Sequence, residues 1–196
     1  MPEVKVPFYG HARQYHNIKK EIDDAISGVL ESGQYVMGPA GGKFEGEFAK
    51  YYGTKHAIGL NSGTDALWLV FMALDLKPGD EVITTANTFF ATAEAIWIAG
   101  GKAVLIDCDP KTRNIDPAKI EAAITPRTKG IVPVHLYGQC ADMKAVSEIA
   151  KKHKLWVVED SAQGIDAHGP GWKQGDFSEA VCTSFIIQKN LGTFGD

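Results

Sequence analysis

Two reactive side chains stand at or just past the ends of apolar runs late in the chain. Asp160 closes the run over residues 155–160, and Lys189 follows the run over residues 184–187. The carboxyl ends of neighbouring parallel strands meet at one edge of a sheet, so an acid and an amine placed in this way can reach one pocket. A cofactor with an aldehyde and a basic ring nitrogen needs an amine for a Schiff base and an acid to hold the ring proton. The pair predicts a pyridoxal 5'-phosphate (PLP) site, against the simpler explanation of a solvated acid and a surface lysine.

Further residues could complete such a site, although each has a simpler explanation. Gly63 and Thr64 lie between a predicted strand and a predicted helix, where N–H groups and a hydroxyl suit a phosphate; a plain helix cap is the alternative. Phe89 could stack on the cofactor ring or be a core aromatic residue. Gln163 could donate to the phenolic oxygen of the cofactor or be merely polar. Ser184 could bind the phosphate or be an inward-facing strand hydroxyl.

The histidines and cysteines favour structural roles. His135 is a lone histidine at a predicted strand end, and a hydrogen-bonded structural histidine is favoured over a catalytic one. No cluster of His, Cys and acidic residues has metal-ligand spacing. The three cysteines, Cys108, Cys140 and Cys182, are far apart and odd in number, which disfavours a disulfide framework. Reduced thiols in a cytoplasmic protein fit best.

Composition indicates a globular domain and excludes some partners. With 196 residues, 44% hydrophobic and 22% charged, the chain can bury a core of one α/β domain or slightly more. A formal net charge of −4 gives no electrostatic case for nucleic acid or an anionic membrane. No apolar run reaches the roughly 18 residues that a membrane span requires.

Strands and helices alternate along most of the chain. The predicted strands cover residues 57–60, 81–85, 102–107, 130–136, 155–159 and 180–185. The predicted helices cover residues 16–32, 41–52, 66–74, 91–99, 116–123 and 142–153. Nearly continuous apolar strands that alternate with helices imply a mostly parallel sheet covered on both faces, a three-layer α/β fold.

Seven short runs together resemble the sugar-nucleotide aminotransferases of the DegT/DnrJ/StrS type, within the aspartate-aminotransferase-like PLP fold. The resemblance extends over nearly all of the chain. The runs cover residues 38–39, 62–67, 78–83, 87–89, 133–138, 159–163 and 189–192.

The resemblance implies a role for each candidate residue. Lys189 would form the Schiff base with PLP, and Asp160 would pair with the pyridine nitrogen. Phe89 would stack on the ring, and Gln163 would contact the ring oxygen. The residues that would hold the phosphate are Gly63, Thr64 and Ser184.

The resemblance also implies a reaction. A homodimer would transfer an amine from an amino acid, glutamate being expected, to a nucleotide-linked keto sugar by a ping-pong mechanism. Residues 87–89 and 114–117 look most like enzymes that aminate dTDP-linked 3-keto-6-deoxyhexoses, and Gln34 and Tyr35 would contact the sugar. Related dehydratases carry histidine in place of the lysine, so Lys189 favours transamination.

Two departures from the family pattern affect this interpretation. Ile186 and Ile187 replace the aromatic or His residue and the Pro that usually precede the lysine. Family members continue past the lysine with another strand of the sheet and a small domain, so residues 1–196 are expected to be an incomplete PLP-binding large domain that binds PLP weakly and has little activity.

Two other functions stay open. One is a catalytically inactive truncated fragment that acts at most as a binding or dimerisation module. The other is a nucleotide-binding α/β protein without PLP, which the missing glycine-rich fingerprint disfavours.

Overall fold

The computed structural model of the protein describes residues 9–195. The chain separates into two compact units, and the division falls between Gly59 and Leu60. In its described part the first unit contains the helices α1 His11–Asn17, α2 Lys19–Ser32 and α3 Pro39–Tyr52. None of the helices in residues 9–195 combines the length and the apolar character that crossing a bilayer requires.

The helix predicted over residues 16–32 is confirmed over residues 19–32, but it is interrupted near its start. Ile18 separates α1 from α2 with non-helical backbone angles of φ −124° and ψ 23°. α2 then ends at Gly33, whose φ of +67° is a left-handed conformation that glycine adopts without strain. Pro39 lies in the first turn of α3, where a missing N–H has no intrahelical partner to lose.

The strand predicted over residues 57–60 is also wrong. The described chain has no regular element there, and the side chain of Ile58 is 76% exposed. The amide of Gly59 donates to the Glu45 carboxylate at 2.7 Å instead of to a neighbouring strand. A short apolar run that contains a glycine has little side-chain surface with which to hold a place in a sheet.

The second unit alternates helices with strands, as the apolar runs predict. Its helices are α4 Gly63–Ala73, α5 Phe90–Ile98, α6 Pro117–Ala123 and α7 Met143–His153. Its strands are β1 Glu81–Thr85, β2 Lys102–Ile106, β3 Thr128–Val132, β4 Trp156–Asp160, β5 His168–Gly169, β6 Trp172–Lys173 and β7 Ala180–Cys182.

Five of these strands form one parallel sheet in the order β2-β1-β3-β4-β7. The chain passes from β1 to β2 on one side and then crosses to β3 on the other, so the strand order reverses at β1. Ligands on open parallel sheets bind beyond the carboxyl ends of the strands near such a reversal. The remaining strands, β5 and β6, form a separate antiparallel hairpin.

Helices cover both faces of the parallel sheet. On one face, α4 and α5 pack against a layer that includes Val82 and Val158. On the other face, α6 and α7 pack against a layer that includes Ile83 and Val157. Adjacent residues of one strand enter opposite cores because side chains alternate across a strand. The three-layer α/β fold predicted from the sequence is confirmed.

The strand predicted over residues 130–136 ends early, at Val132. Pro133 follows and has no N–H with which to continue the ladder. Beyond it, residues Leu136–Gly138 form a 3-10 turn in which Tyr137 has a φ of +58°. The segment after β3 is therefore a sharp turn at the carboxyl edge of the sheet.

The strand predicted over residues 180–185 ends at Cys182, which pairs with Asp160 at the last register position of β4 and β7. Residues 183–195 form no further strand. Ser184 and Lys189 therefore lie on a loop at the carboxyl end of β7 and not on the strand itself.

β3 and β4 make a close contact where Gly130 faces Trp156. A Cβ atom placed on Gly130 would lie 2.0–2.3 Å from atoms of the Trp156 ring. The same ring stacks on Phe71 of α4, with ring centroids 5.7 Å apart. The missing side chain at position 130 thus lets the indole lie over the strand and contact the helix.

Gly130→Ala is expected to lower the free energy of unfolding by about 1–3 kcal/mol, because the added methyl group forces the Trp156 ring to move. Urea unfolding followed by tryptophan fluorescence measures the change. Gly28→Ala in α2 is the control, because its added Cβ meets no atom within 4 Å, and it is expected to raise stability by up to about 1 kcal/mol. An unfolding midpoint of Gly130→Ala at or above the wild-type value would contradict this packing.

Candidate active site

The carboxyl ends of the parallel strands bring most of the candidate residues to one edge of the sheet. Phe89 follows β1, and His135 follows β3. Asp160 is the last residue of β4, and Ser184 follows β7. The topology therefore places an aromatic ring, a histidine, an acid and a hydroxyl where ligands of parallel sheets bind.

Asp160 is a buried acid whose two oxygens each accept a hydrogen bond. Asp160 as a whole residue is only 5% exposed. Oδ2 accepts from the Thr92 hydroxyl at 2.7 Å, and Oδ1 accepts from the Ala162 N–H at 3.1 Å. Burial raises the pKa of Asp160, whereas these two donors and the nearby positive charge of Lys189 act to lower it.

Lys189 lies close enough for its charge to act on the Asp160 carboxylate. It is half-buried, in a loop closed by a hydrogen bond from the Thr193 N–H to the Phe185 carbonyl at 2.8 Å. Within the loop, the Lys189 N–H donates to the Ile186 carbonyl at 2.7 Å. Lys189 therefore lies on the loop that follows β7, the strand paired with the one that ends in Asp160.

The first turn of α4 contacts the loop after β7. A Cβ atom placed on Gly63 would lie 2.8 Å from the Cβ of Ser184 and 3.0 Å from the Thr183 carbonyl oxygen. This close approach requires a glycine at the first position of the helix. It places the N-terminus of α4 beside Ser184, so the predicted phosphate ligands are neighbours in the structure.

The N-terminus of α4 has backbone donors to offer. Ser62 caps the helix, and its hydroxyl oxygen accepts from the Asp65 N–H at 3.0 Å. Within residues 9–195, the N–H groups of Gly63 and Thr64 have no hydrogen-bond acceptor. Free N–H groups at a helix N-terminus, with the positive end of its dipole, favour an anion such as a phosphate.

Phe89 and Gln163 present groups that a ring could contact. The Phe89 side chain is 70% exposed at the start of α5, so the alternative of a core aromatic residue is wrong. The Gln163 side chain accepts from the Tyr137 N–H through Oε1 at 2.9 Å. This hydrogen bond shows which end of the side-chain amide is the oxygen. The other end, Nε2, can therefore donate to a ligand.

Gln34 and Tyr35 belong to the first unit, between α2 and α3. Both are exposed, and the Tyr35 hydroxyl donates to the Leu30 carbonyl at 2.9 Å. Their role in sugar binding stays a prediction.

Thr92 is a site residue that the sequence analysis missed. It is fully buried in α5, and its hydroxyl lies 2.7 Å from Asp160 Oδ2 and 2.8 Å from the Thr88 hydroxyl. The feature of the sequence that could have indicated Thr92 is its position. Thr92 and Glu94 are the only polar residues of an otherwise apolar helix that starts just beyond β1.

His135 has the structural role that the sequence favoured. It is fully buried, and its Nδ1 accepts from the Ala141 N–H at 3.2 Å. The ring proton is therefore on Nε2, which donates to Glu159 Oε2 at 2.6 Å. The other Glu159 oxygen accepts from the Gly175 N–H at 2.8 Å, so this buried pair is fully hydrogen-bonded.

Gln174, which the sequence analysis also missed, holds the turn that follows Asp160. The Ser161 hydroxyl donates to its Oε1 at 2.8 Å, and its Nε2 donates to the Gly164 carbonyl. The two bonds close the turn that carries Gln163. Because the side chain of Gln174 is buried, the turn is held from within the protein.

The cysteines in the described chain are free thiols. Burial and the negative charge of Asp160 raise the pKa of Cys182 to about 12. Burial is also the main cause that raises the pKa of Cys140 to about 11. Both thiols are therefore protonated at neutral pH.

These residues fit PLP. The first turn of α4 offers free N–H groups beside Ser184, in a space that a side chain at Gly63 would fill. Phe89 offers an exposed ring, and Asp160 and Lys189 offer the acid and the amine. A phosphate, a flat ring, a ring nitrogen and an aldehyde would each find a complementary group.

Comparison with known proteins decides the family. Residues 16–196 match the sequence profile of the DegT/DnrJ/EryC1/StrS aminotransferase family. The chain belongs to this family. Aminotransferases of the DegT/DnrJ/EryC1/StrS family use PLP, which agrees with the cofactor predicted from the sequence.

Several curated relatives match almost the whole chain. It is 48% identical over 193 residues to a pleiotropic regulatory protein of Geobacillus stearothermophilus, with 98% of the chain and 52% of the relative covered. It is 47% identical to the UDP-2-acetamido-2-deoxy-3-oxo-D-glucuronate aminotransferase of Pseudomonas aeruginosa, with 97% and 53% covered. It is 44% identical to the dTDP-3-amino-3,4,6-trideoxy-alpha-D-glucose transaminase of Streptomyces venezuelae, with 98% and 51% covered. The chain spans about half the length of the curated relatives it matches.

A solved structure agrees with this family membership. The crystal structure of S. venezuelae DesV in complex with a ketimine intermediate matches with a TM-score of 0.94 and 44% sequence identity. The match covers 98% of this chain and 52% of that one. The DegT/DnrJ/EryC1/StrS chain described here therefore has the fold of an aminotransferase over nearly all its length.

Asp160→Asn is expected to raise the free energy of unfolding of the cofactor-free protein by about 1 kcal/mol at pH 7. The asparagine oxygen can keep the Ala162 bond, and its amino group can donate to Thr92. Because burial raises the folded-state pKa of Asp160, the destabilisation by the carboxylate is absent below the unfolded-state pKa. It develops as the pH rises from that value to the folded-state value.

Urea unfolding of wild type and Asp160→Asn at a series of pH values measures this effect. The two stabilities should converge at low pH, where Asp160 is protonated in both the folded and the unfolded state. A difference that is independent of pH, or a loss of stability at pH 7, would show that the carboxylate is not destabilising where it lies.

Proposed function

We propose that the chain carries the cofactor site of a PLP-dependent aminotransferase that acts on a nucleotide-linked keto sugar. The observation that supports this most directly is the position of Lys189 on the loop after β7, the strand that pairs with the one ending in the buried Asp160 carboxylate. We also infer that residues 1–196 belong to the PLP-binding large domain of such an enzyme.

The phosphate and the ring would be held by separate parts of the sheet edge. The N–H groups of Gly63 and Thr64 and the hydroxyl of Ser184 would bind the phosphate, where the dipole of α4 favours negative charge. Phe89 would cover one face of the ring, which its exposed side chain is free to do. Gln163 would donate to the ring oxygen through Nε2.

Lys189 and Asp160 would act on protons. When bound, PLP supplies an electron-withdrawing ring that makes the α-hydrogen of an attached amino acid acidic. Lys189 would hold the cofactor through its Nζ, and as a free amine the same Nζ would be the base that takes the proton from the α-carbon of the amino acid. The negative charge of Asp160 would keep the proton on the ring nitrogen, because a nearby carboxylate favours the protonated form of a base.

The substrates proposed are an amino acid, with glutamate as the expected donor, and a nucleotide-linked keto sugar. Gln34 and Tyr35 are the proposed sugar contacts. A dTDP-linked 3-keto-6-deoxyhexose is our first choice, supported by residues 87–89 and 114–117 and by the name of the S. venezuelae transaminase. The name of the P. aeruginosa relative supports a UDP-linked 3-keto sugar as the second. We further propose a homodimer that works in the cytoplasm.

Borohydride reduction in the presence of millimolar PLP is expected to attach the cofactor to Lys189, because reduction makes the bond between an amine and an aldehyde permanent. Peptide mass analysis identifies the modified residue. Lys189→Arg is the matched variant, since it keeps the charge but cannot form this bond, and Lys173→Arg tests an exposed lysine of β6. Modification of other lysines with Lys189 unmodified would contradict the assignment.

Addition of glutamate to the PLP-loaded protein is expected to shift its visible absorption band toward shorter wavelength, because the amine moves from the amino acid to the cofactor. A colourless protein with no adduct would instead favour the alternative of an inactive fragment that acts only as a binding or dimerisation module. Nicotinamide or nucleotide binding that Lys189→Ala leaves unchanged would favour a nucleotide-binding protein without PLP.

A further inference from the structure

We propose that Thr88 and Thr92 form a directed pair of hydroxyls that positions Asp160 and keeps it ionised for the ring nitrogen of the cofactor. Thr92 is a positioning residue in this proposal, because it acts through Asp160. The proposal rests on the PLP site proposed above and adds two residues to it.

The direction of the two hydrogen bonds follows from counting protons. The Thr92 hydroxyl lies 2.7 Å from Asp160 Oδ2 and 2.8 Å from the Thr88 hydroxyl, but it carries a single proton. An ionised carboxylate can only accept, so Thr92 donates to Asp160. The Thr88 hydroxyl must then donate to Thr92.

This arrangement matters because Asp160 is buried. Burial disfavours its charged form, and a hydrogen bond to a carboxylate favours that form. The hydroxyl of Thr92 and the N–H of Ala162 are the two donors to its oxygens among the described residues. Without Thr92, one of these two hydrogen bonds to the Asp160 carboxylate would be lost.

The other groups that face Asp160 do not replace Thr92. His135, from the segment after β3, donates its ring proton to Glu159 instead. Lys189, from the loop after β7, acts to lower the pKa of Asp160 by charge. Lys189 is the group committed to the cofactor in the proposed function, so its charge is not constant through the reaction. The Cys182 thiol on β7, with a pKa raised to about 12, is neutral at physiological pH.

The position of Thr92 in α5 couples Asp160 to the proposed stacking residue. Phe89 precedes α5, and its carbonyl accepts from the Thr92 N–H at 3.2 Å. The first turn of α5 therefore carries both the ring proposed to stack on the cofactor and the donor to the acid. A shift of this turn would move both groups together.

Thr84 offers a matched control. It is a fully buried threonine on β1, like Thr92 in residue type and burial, and its hydroxyl donates to the Val132 carbonyl at 2.8 Å. Thr84→Val therefore removes a buried hydroxyl and a hydrogen bond without removing a donor to Asp160. Any general effect of losing such a hydroxyl should appear in this variant as well.

The first measurement uses cofactor-free protein with ¹³C-labelled aspartate side chains, in which the Asp160 signal is assigned with Asp160→Asn. Thr92→Val is expected to raise the titration midpoint of Asp160 by about one pH unit. Thr92→Ser, which restores a hydroxyl, should return the midpoint close to the wild-type value. Thr84→Val should leave it unchanged.

The second measurement uses PLP labelled with ¹⁵N at the ring nitrogen. Thr92→Val is expected to move the ring-nitrogen signal toward that of the unprotonated ring and to weaken PLP binding roughly tenfold. Thr88→Val, which removes only the outer donor, should give a smaller change of the same sign, roughly threefold in binding. Thr92→Ser should restore both values.

The outcomes separate this inference from the proposed function. Wild-type protein in which Lys189 is not trapped by borohydride would overturn the PLP site itself. Trapping on Lys189, with an Asp160 midpoint and ring-nitrogen signal unchanged in Thr92→Val, would overturn the hydroxyl pair alone. If Thr92→Val does not fold, Thr88→Val decides, because wild-type values in that variant would equally overturn the proposal.

Discussion

The burial of the Asp160 carboxylate at the end of a central strand is the constraint on which the rest of the site depends. Water is largely excluded from this carboxyl group, so its charge must be supported by neighbouring donors and cations. The donors come from Thr92 and Ala162, and Lys189 supplies a positive charge from the loop after β7. A carboxylate that is held in place but destabilised by burial gains most from a ligand that brings a proton or a positive charge.

The parallel sheet explains why these groups meet. Residues far apart in sequence converge because all five strands of the sheet point the same way, so their carboxyl ends share one edge. Rigid contacts behind the edge hold it in place. The buried pair of His135 and Glu159 lies beneath it, and Gln174 holds the turn that carries Gln163. Side chains with no direct part in the proposed chemistry thus fix the loops that carry it out.

The sequence predicted the parts of this site that combine a distinctive residue type with a strand end. Asp160 and Lys189 could be paired because an acid and an amine each followed an apolar run, and the layered fold followed from the alternation of those runs. Thr92 could not be found in this way, because nothing in an apolar helix indicates which strand end a buried threonine faces. The break at Ile18 and the missing strand at residues 57–60 reflect local hydrogen bonds and backbone angles that apolar periodicity does not encode.

We expect Lys189 and Asp160 to contact opposite parts of one bound PLP molecule. A crystal structure of the protein soaked with PLP tests it most directly. Continuous density is expected from Lys189 Nζ to the cofactor, with a carboxylate oxygen of Asp160 within hydrogen-bond distance of the ring nitrogen. A PLP molecule bound elsewhere, or attached to Lys189 with its ring nitrogen directed away from Asp160, would contradict it.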